Sequence, residues 1–418
     1  MAGDGGATAA ESSEKAAGEY PGKRKLTKAE RRAQQEAQRA RKAEQSGNHV
    51  QQKSSHNQRS GGVPRPAGSR ALAMTERLRR GNRSVDDTAS LLASAPGSDS
   101  LTDSVCACAR SMASGELACE RERALALADT LKDAVAMRKD AFDNSSAQQA
   151  AVRELLQHLD FVESFLSHCT QLGCACSNLL SIVRKHIAHL AESELSGGAH
   201  DIYDSLVSFI SSFKQQRLTL ALERILDNSI GHIVNDNETI LTSGYSDVVE
   251  YVLLKALDQD VHFDVHLIGE SDSPAVRRMA ESLLSVGIDV TFTHTSGAAY
   301  AARSSSRALL GVSAVYSNGS VQASSGAHAL CACAQDAGIK VHALCETLKF
   351  VDKAVCDSTT SNEVDGSRQA AKNARNIAFM SDVVPGYLLE SLATEHGYFA
   401  PAPNEMVQML QGRFGVDE

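Results

Sequence analysis

The sequence lacks any apolar run near the roughly 18 residues that a transmembrane helix needs, so a helix that spans a membrane is not expected. Its first residues, MAGDGGATAAESSEK, contain no apolar core of a secretory signal. With ten cysteines and no such signal, the chain is expected to stay in a reducing compartment. The cytosol is therefore the predicted location.

Recognisable metal-binding patterns are missing as well. Three cysteine pairs have C-x-C spacing, and on a helix two such side chains point roughly 200° apart, so a pair does not easily close on one ion. The histidines form neither an HExxH motif nor a cluster with cysteine. We interpret the paired cysteines as small buried hydrophobes and predict no metal site and no cofactor; the pairs are Cys106/Cys108, Cys174/Cys176 and Cys331/Cys333.

Charge is unevenly distributed along the chain. Residues 21–83 carry 17 Lys and Arg against 4 Asp and Glu, whereas the stretch from Ser84 onward carries 24 against 43. Residues 1–110 contain few large apolar side chains and are predicted to be a disordered, basic N-terminal arm. Such an arm could contact RNA weakly through phosphates, but it lacks interleaved aromatics for base stacking. A solvated tail is the alternative interpretation.

Helical periodicity dominates the next region. Apolar residues between Val152 and Leu172, and again between Leu179 and Leu190, recur at steps of three and four. The stretch from Tyr203 to Ile230 behaves similarly. The sequence therefore predicts a helical bundle domain over residues 115–230.

After Asn235 the pattern changes to short apolar runs joined by helix-like segments. The runs are ETILTSG, VHFDVHLIGE, DVTFTHT, GVSAVYSNG and KVHALCETLKF. Runs of this kind indicate parallel strands with crossover helices. We predict a Rossmann-like, doubly wound α/β domain over residues 231–418, with functional loops at the carboxyl ends of its strands.

A glycine-containing turn, Ser317–Ser320, follows one of these runs. We predict that it opens the Ala-rich helix that follows, with Ser320 as N-cap and Gly319 allowing close approach of the backbone to a ligand. Free N–H groups at a helix N-terminus favour anions, which makes the turn a candidate phosphate site. Asn-Gly-Ser also suits an ordinary strand-to-helix turn, and neither GxxxxGK[ST] nor GxGxxG is present.

The segment CETLKF places a thiol, a carboxylate and an amine within five residues, at Cys345, Glu346 and Lys349. Such groups can support acid/base or nucleophilic chemistry. A nucleophilic cysteine needs an activating base or cation, and His342 is predicted on the opposite face of the strand. The sequence favours buried packing for Cys345 and a structural ion pair for Glu346 or Lys349.

Four strings, ILTSGYS, GVSAVYSNGSV, VHALCETLKF and SNEV, resemble in order the regulatory subunits of eukaryotic translation initiation factor 2B, the guanine-nucleotide exchange factor for initiation factor 2. The stretch SDVVPGYLLESLATEHGYFAPAP resembles the end of the same proteins. The likeness covers roughly residues 120–400. It implies a helical domain before an α/β domain and a chain that is not an enzyme, because exchange belongs to the gamma- and epsilon-type subunits.

The resemblance also implies partners. These are the alpha-, beta-, gamma- and epsilon-type subunits, with beta as the closest pairing partner, and initiation factor 2 with its phosphorylated alpha subunit. The arm, with KLTKAERRAQQEAQRARK, resembles the extension of the delta type. The expected regulatory face of the helical domain includes Arg184 and Lys185. Motif residues expected at a subunit interface are Asn318, Gly319, Ser320, Cys345, Glu346, Thr347, Lys349 and Phe350.

The same fold family contains isomerases of methylthioribose-1-phosphate and ribose-1,5-bisphosphate, so a sugar-phosphate isomerase is one alternative function. Those enzymes depend on a cysteine after the first strand and an aspartate before the NG turn. The matching positions here are Gly244 or its neighbours and Ser313, which supply neither group. The family's arginine after NGSV, a phosphate ligand, is also lost, since residues 323–327 read ASSGA. An RNA-binding protein that acts through its basic arm is the other alternative.

Overall fold

The computed structural model describes residues 103–142, 148–192, 198–359, 362 and 379–414. Most of the predicted arm and most of residues 360–378 lie outside these ranges. The described part opens with helix α1, Asp103–Ser114, so residues 103–110, which the sequence assigns to the arm, are helical. The reason is the spacing of Val105, Cys108, Ala109 and Met112, which puts four buried side chains on one face of the helix.

The described residues before Asn235 are mostly helical, and we call them the helical part. Its helices are α1, α2 (Glu120–Ala141), α3 (Gln148–Cys169), α4 (Cys174–Glu192) and α5 (Ala199–Phe213), and α5 continues through a π-helical segment (Lys214–Thr219) into α6 (Leu220–Ser229). The apolar stripes seen in the sequence form one buried cluster, in which Leu166, Leu179 and Tyr203 are fully enclosed. The domain bounds 115–230 and 231–418 stay a prediction.

The remainder, the α/β part, alternates strands and helices. Its strands are β1 (Glu238–Ser243), β2 (Phe263–Ile268), β3 (Val290–Thr293), β4 (Arg307–Tyr316), β5 (Val321–Ser324), β6 (Lys340–Leu344), β7 (Phe350–Val351), β8 (Ser381–Val384), β9 (Ser391–Thr394) and β10 (Gly397–Phe399). Its helices are α7 (Asp247–Leu257), α8 (Pro274–Ser285), α9 (Ala298–Arg303), α10 (Ala327–Ala337) and α11 (Pro403–Phe414).

The main sheet has parallel strands in the order β3-β2-β1-β4-β6-β9, with β10 antiparallel to β9 at one end. Helices α6, α7 and α8 contribute to one buried cluster against this sheet, and α9, α10 and α11 contribute to another. The strand order reverses direction between β1 and β4, where such folds place their ligand crevice. The predicted Rossmann-like, doubly wound α/β fold is confirmed.

The region around the SNGS turn differs from the sequence prediction. The turn does not open a helix, because the residues after it form β5, which pairs antiparallel with both β4 and β8. In VQAS, the alternation of buried Val321 and Ala323 with half-buried Gln322 and Ser324 is the period-two pattern of a strand. The turn is thus the tip of a β-hairpin, and α10 begins only at Ala327.

Candidate functional site

The hairpin turn is held by contacts with its own chain. Asn318 Nδ2 donates to Val355 O at 3.0 Å, and Ser320 Oγ lies 2.7 Å from Asn318 Oδ1 and 2.6 Å from Val355 O, either of which can accept its one hydrogen. Gly319 has φ +80, and a Cβ there would overlap the carbonyl of Pro401. Gly319 is therefore required for close approach of the backbone, as predicted, but it approaches the chain's own backbone.

The N-terminus of α10 carries an anion from the chain itself. Asp382 Oδ2 accepts from Gly326 N at 2.8 Å and from His328 N at 3.4 Å. This carboxylate takes the position that an N-cap side chain normally fills, so the prediction of Ser320 as N-cap is wrong. The favourable electrostatics of the helix end are satisfied without a phosphate.

Serine hydroxyl groups lie near the strand-order reversal. Ser243 Oγ lies 3.3 Å from Ser324 Oγ, and Ser313 Oγ donates to Gln322 O at 3.1 Å. Gly244 has φ +66, and a Cβ added there would lie 2.6 Å from Ser324 Oγ. Gly244 and its neighbours Ser243 and Tyr245, the positions matched to the cysteine of the isomerases, supply no thiol, and a side chain at position 244 would require Ser324 to move.

A buried cluster of charges lies between the helical part and the α/β part. Arg121 comes from α2, Asp247 opens α7, and Glu346 and Lys349 follow β6; we call these four residues the joint cluster. Their side chains are 15%, 10%, 1% and 4% exposed, respectively. The four side chains carry two positive and two negative formal charges, so each buried charge has an opposite charge nearby.

Distances within the joint cluster define its connections. Arg121 Nη1 lies 3.2 Å from Asp247 Oδ2, and Arg121 Nε lies 3.5 Å from Glu346 Oε1. Lys349 Nζ lies 2.8 Å from Glu346 Oε2, outside the angles of a well-formed hydrogen bond. Burial alone would lower the pKa of Lys349, but the carboxylates of Glu346 and Asp247 outweigh burial and raise it. The amine is therefore held protonated and is not a nucleophile.

The rest of CETLKF is packed rather than reactive. Cys345 is fully buried, and burial raises the pKa of its thiol, which is the reverse of what a nucleophile needs. Thr347 N donates to Glu395 Oε2 at 3.0 Å, and Leu348 inserts into the core of the helical part. Phe350 is 1% exposed. These residues connect two parts of one chain, and their place at a subunit interface stays a prediction.

The expected regulatory face lies on α4. Arg184 Nη2 donates to Asp160 Oδ1 at 2.7 Å and to Glu163 Oε2 at 2.6 Å, and these two bonds raise the pKa of the guanidinium. Lys185, the next residue, is exposed. The charge of Arg184 is thus offset by acids on α3, and Lys185 is the exposed lysine beside it on the same helix.

Sequence reasoning did not identify Arg121 or Glu395, and it included Asp247 only as the last residue of the strand-end loop TSGYSD. Glu395 also follows the carboxyl end of a strand, so the rule that functional loops lie there could have found it. Arg121 belongs to the run ERER at the start of α2, and a charge run is usually solvated. Arg121 and Asp247 are 126 positions apart in the chain, and only the folded structure brings them together.

Two absences within the described ranges bear on the site. There, no group of three His, Cys, Asp or Glu side chains is arranged to hold a metal ion. None of the helices that the structure describes has the length and apolar composition needed to cross a bilayer.

The fold and the joint cluster together define a class of protein. Its members have a helical part connected by buried ion pairs to a Rossmann-like sheet, and here serine and glycine residues lie where the strand order reverses. The model of the Initiation factor 2 subunit family matches residues 116–401. Because this match covers well over half of the chain, the protein belongs to that family.

Relatives within the family are named as delta subunits. The chain is 24% identical over 268 residues to the translation initiation factor eIF2B subunit delta of Dictyostelium discoideum, covering 60% of this chain and 42% of the relative. It is 22% identical over 265 residues to the protein of the same name in Schizosaccharomyces pombe, covering 59% and 56%. The chain thus spans about half the length of these relatives. The resemblance to delta-type regulatory subunits is confirmed.

Solved structures show the same fold. The tetrameric eIF2B-beta2-delta2 complex from C. thermophilum contains a chain that superposes with a TM-score of 0.62 at 23% identity, covering 71% of this chain and 92% of that one. The eIF2B delta structure from Chaetomium thermophilum gives a TM-score of 0.57 at 22% identity, with 71% and 97% covered. An eIF-2B protein from Pyrococcus horikoshii OT3 gives 0.53 at 20% identity, with 73% and 100% covered.

Proposed function

We propose that this protein is a delta-type regulatory subunit of initiation factor 2B, the guanine-nucleotide exchange factor for initiation factor 2, and that it acts in the cytosol. The observation that carries the proposal is the family match over residues 116–401 together with relatives named as delta subunits. The chain would scaffold and regulate exchange, while other subunits perform it.

The crevice supports a role without covalent chemistry. A thiol at position 244 would meet Ser324, and Ser313 uses its hydroxyl to bond the backbone of β5. The helix end that would attract a phosphate already holds the carboxylate of Asp382. These contacts disfavour the sugar-phosphate isomerase alternative, because Gly244 and Ser313 supply neither a thiol nor an acid and Asp382 already occupies the N-terminus of α10.

Assembly is proposed to run through the α/β part, with a beta-type subunit as the closest partner. Support comes from the similarity to a chain of a structure named as a beta2-delta2 complex. The hairpin turn and CETLKF would fix the shape of the interface from inside the chain. Tyr387, 74% exposed, follows Gly386, which packs against the backbone of Gly319, and provides an aromatic side chain at that surface.

Regulation is proposed to begin at the helical part. Phosphorylated and unphosphorylated initiation factor 2 can be told apart only if they bind differently to two arrangements of the assembly. A phosphate attracts exposed cations, and Lys185 on α4 is such a residue. Weak RNA contact by the basic arm is a separate and smaller part of the proposal.

The test is purification of the chain with its partners, followed by a nucleotide-exchange assay with phosphorylated and unphosphorylated initiation factor 2. We expect a large assembly containing the alpha-, beta-, gamma- and epsilon-type subunits, and we expect Lys185→Glu to weaken inhibition by the phosphorylated factor about fivefold or more. Lys255→Glu, on α7 of the α/β part, is the matched control because Lys255 is also an exposed lysine. A solitary homodimer would contradict the assembly, and equal responses from both variants would exclude Lys185 from the sensing surface.

A further inference from the structure

The rod formed by α5, the π-helical segment and α6 runs from the buried cluster of the helical part into a buried cluster of the α/β part, so α6 packs with the sheet although it precedes Asn235. Leu218, in the π-helical segment, lies in the buried cluster of the helical part, whereas Leu222 and Ile225, one and two turns later, lie in a buried cluster of the α/β part. The π-helical segment Lys214–Thr219 therefore comes where the rod passes from one core to the other. Such segments interrupt the regular i to i−4 bonding and are common at functional positions.

The π-helical segment and the joint cluster are directly connected. Arg121 Nε donates to Leu218 O at 3.0 Å, and the same guanidinium pairs with Asp247. Because the single hydrogen on Nε is used by Leu218 O, Glu346 Oε1 at 3.5 Å receives a charge but no hydrogen bond. A rearrangement of the joint cluster would therefore move Arg121 and alter its hydrogen bond to the π-helical segment, and the reverse also holds.

The joint cluster is balanced in charge but incomplete in hydrogen bonding. Within the described structure, Asp247 Oδ1 and Glu346 Oε1 are buried without a hydrogen-bond donor. Buried ion pairs of this kind often contribute no more than apolar side chains of the same volume, and removing one member leaves an uncompensated charge. If this contact served stability alone, apolar side chains such as leucine and phenylalanine would stabilise it at least as well.

A further contact between the two parts lies beside the joint cluster. Leu348, between Glu346 and Lys349, inserts its side chain into the core of the helical part. Asn178 Nδ2 on α4 donates to Leu348 O at 2.6 Å and to Phe350 O at 3.1 Å. These contacts attach the two parts beside the ion pairs, in addition to the contacts of Glu122 with Arg278 and of Cys174 with Ser313 O.

From these observations we infer that the joint cluster is a switchable latch and that the segment Lys214–Thr219 is the hinge on which the helical part turns when the latch rearranges. Its regulatory meaning rests on the proposed function: the latch would carry the phosphorylation state sensed by the helical part to the assembled α/β part. Leu348 stays buried in the core of the helical part both before and after the ion pairs rearrange.

Hydrogen–deuterium exchange of the full chain, read by mass spectrometry, tests the hinge without any partner. We expect the amides of residues 214–219 to exchange faster than those of α5 and α6 in the wild type. Lys349→Met leaves Glu346 with a weaker counter-charge and should speed exchange of 214–219 about tenfold or more. The double variant Glu346→Gln/Lys349→Met removes the pair without leaving an unbalanced charge and should exchange at the wild-type rate or more slowly.

A surface pair provides the control. Lys340 Nζ lies 2.6 Å from Glu390 Oε1 in the α/β part, and both side chains are exposed. Glu390→Gln/Lys340→Met should therefore leave the exchange rate of residues 214–219 unchanged. If Lys349→Met does not fold, Arg121→Lys replaces it, since it keeps the charge but cannot bond both Leu218 O and Asp247. Uniformly slow exchange along α5–α6 in the wild type, or equal exchange in the single and double variants, would overturn the hinge.

An exchange assay on the assembled complex tests whether the joint cluster has a regulatory role. The double variant should assemble normally and lose about fivefold or more of its response to phosphorylated initiation factor 2. A full response in a complex that carries the double variant would overturn the latch as a regulatory element. Failure of the wild-type chain to assemble would instead refute the proposed function, and the exchange measurements would still decide whether the hinge exists.

Discussion

At the scale of single residues, Gly319 shows how a position can look like a ligand site and serve the fold. Its φ of +80 lies in the left-handed region, and its missing side chain leaves space for the carbonyl of Pro401. Sequence reasoning correctly assigned close backbone approach to this glycine. The approaching group belongs to the segment between β10 and α11, so the turn ties the hairpin to the end of the described chain.

Gly319→Ala should therefore destabilise the protein by about 3 kcal/mol or more, because it adds both left-handed strain and overlap with backbone. Gly338→Ala is the matched control: Gly338 has φ +74 after α10, and an added Cβ would meet nothing within 4 Å. Left-handed strain alone should cost about 1–2 kcal/mol there. Urea unfolding of the two variants measures the difference, and equal midpoints would show that the contact with Pro401 is unimportant.

At the scale of elements, α3 contains a histidine that makes the helical part sensitive to acid. His158 is 6% exposed, and among the described residues neither ring nitrogen has a hydrogen-bond partner. Burial, followed by the charge of Arg138, lowers the pKa of His158 to about 4, while Glu154 acts in the opposite direction. The folded chain thus holds this ring neutral at a pH where the unfolded chain protonates it.

Because the unfolded state takes up this proton first, the stabilising effect of a neutral His158 is complete above about pH 6.5 and is lost as the pH falls toward 4. The loss amounts to about 3 kcal/mol, from 1.36 kcal/mol per pKa unit. His158→Leu should remove this share of the acid sensitivity, leaving the similar effect of His342, whose pKa burial also lowers to about 4. Denaturant unfolding of the wild type and of His158→Leu at pH 7 and pH 4.5 checks this prediction. An equal loss of unfolding free energy in the two proteins would contradict it.

At the scale of the whole molecule, the start of α1 decides where the arm can be removed. Val105, Cys108 and Ala109 belong to the core of the helical part, so a deletion that ends at residue 110 cuts into that core. We expect the chain without residues 1–102 to keep its melting temperature and its assembly with partner subunits. The chain without residues 1–110 should lose about 2 kcal/mol or more.

Calorimetry and co-purification of the two truncated chains provide the measurement, and an RNA-binding assay separates the alternative function. Loss of RNA binding together with normal assembly would assign the arm a separate role. Loss of assembly on removal of residues 1–102 would contradict the proposal that the arm is dispensable for the complex.

Much of the architecture followed from local patterns. Steps of three and four in α3 and α4, and short apolar runs such as ETILTS and VHALC, reflect side chains that must leave water on one face or on both. Short VQAS was missed because four residues with one alternation carry little signal and the preceding turn suits a helix start as well. The strands β8 to β10 were missed because runs of three or four residues also carry little signal.

The sequence by itself determined the α/β class, the order of helical and sheet regions, and the family, because periodicity and short motifs are local properties. Only the tertiary structure decided that SNGS closes a hairpin, that Asp382 occupies the N-terminus of α10, and that Arg121 meets Asp247 and Glu346 across 126 and more positions of chain. Contacts between distant segments depend on how whole elements pack, and that packing is not written in any one stretch of residues.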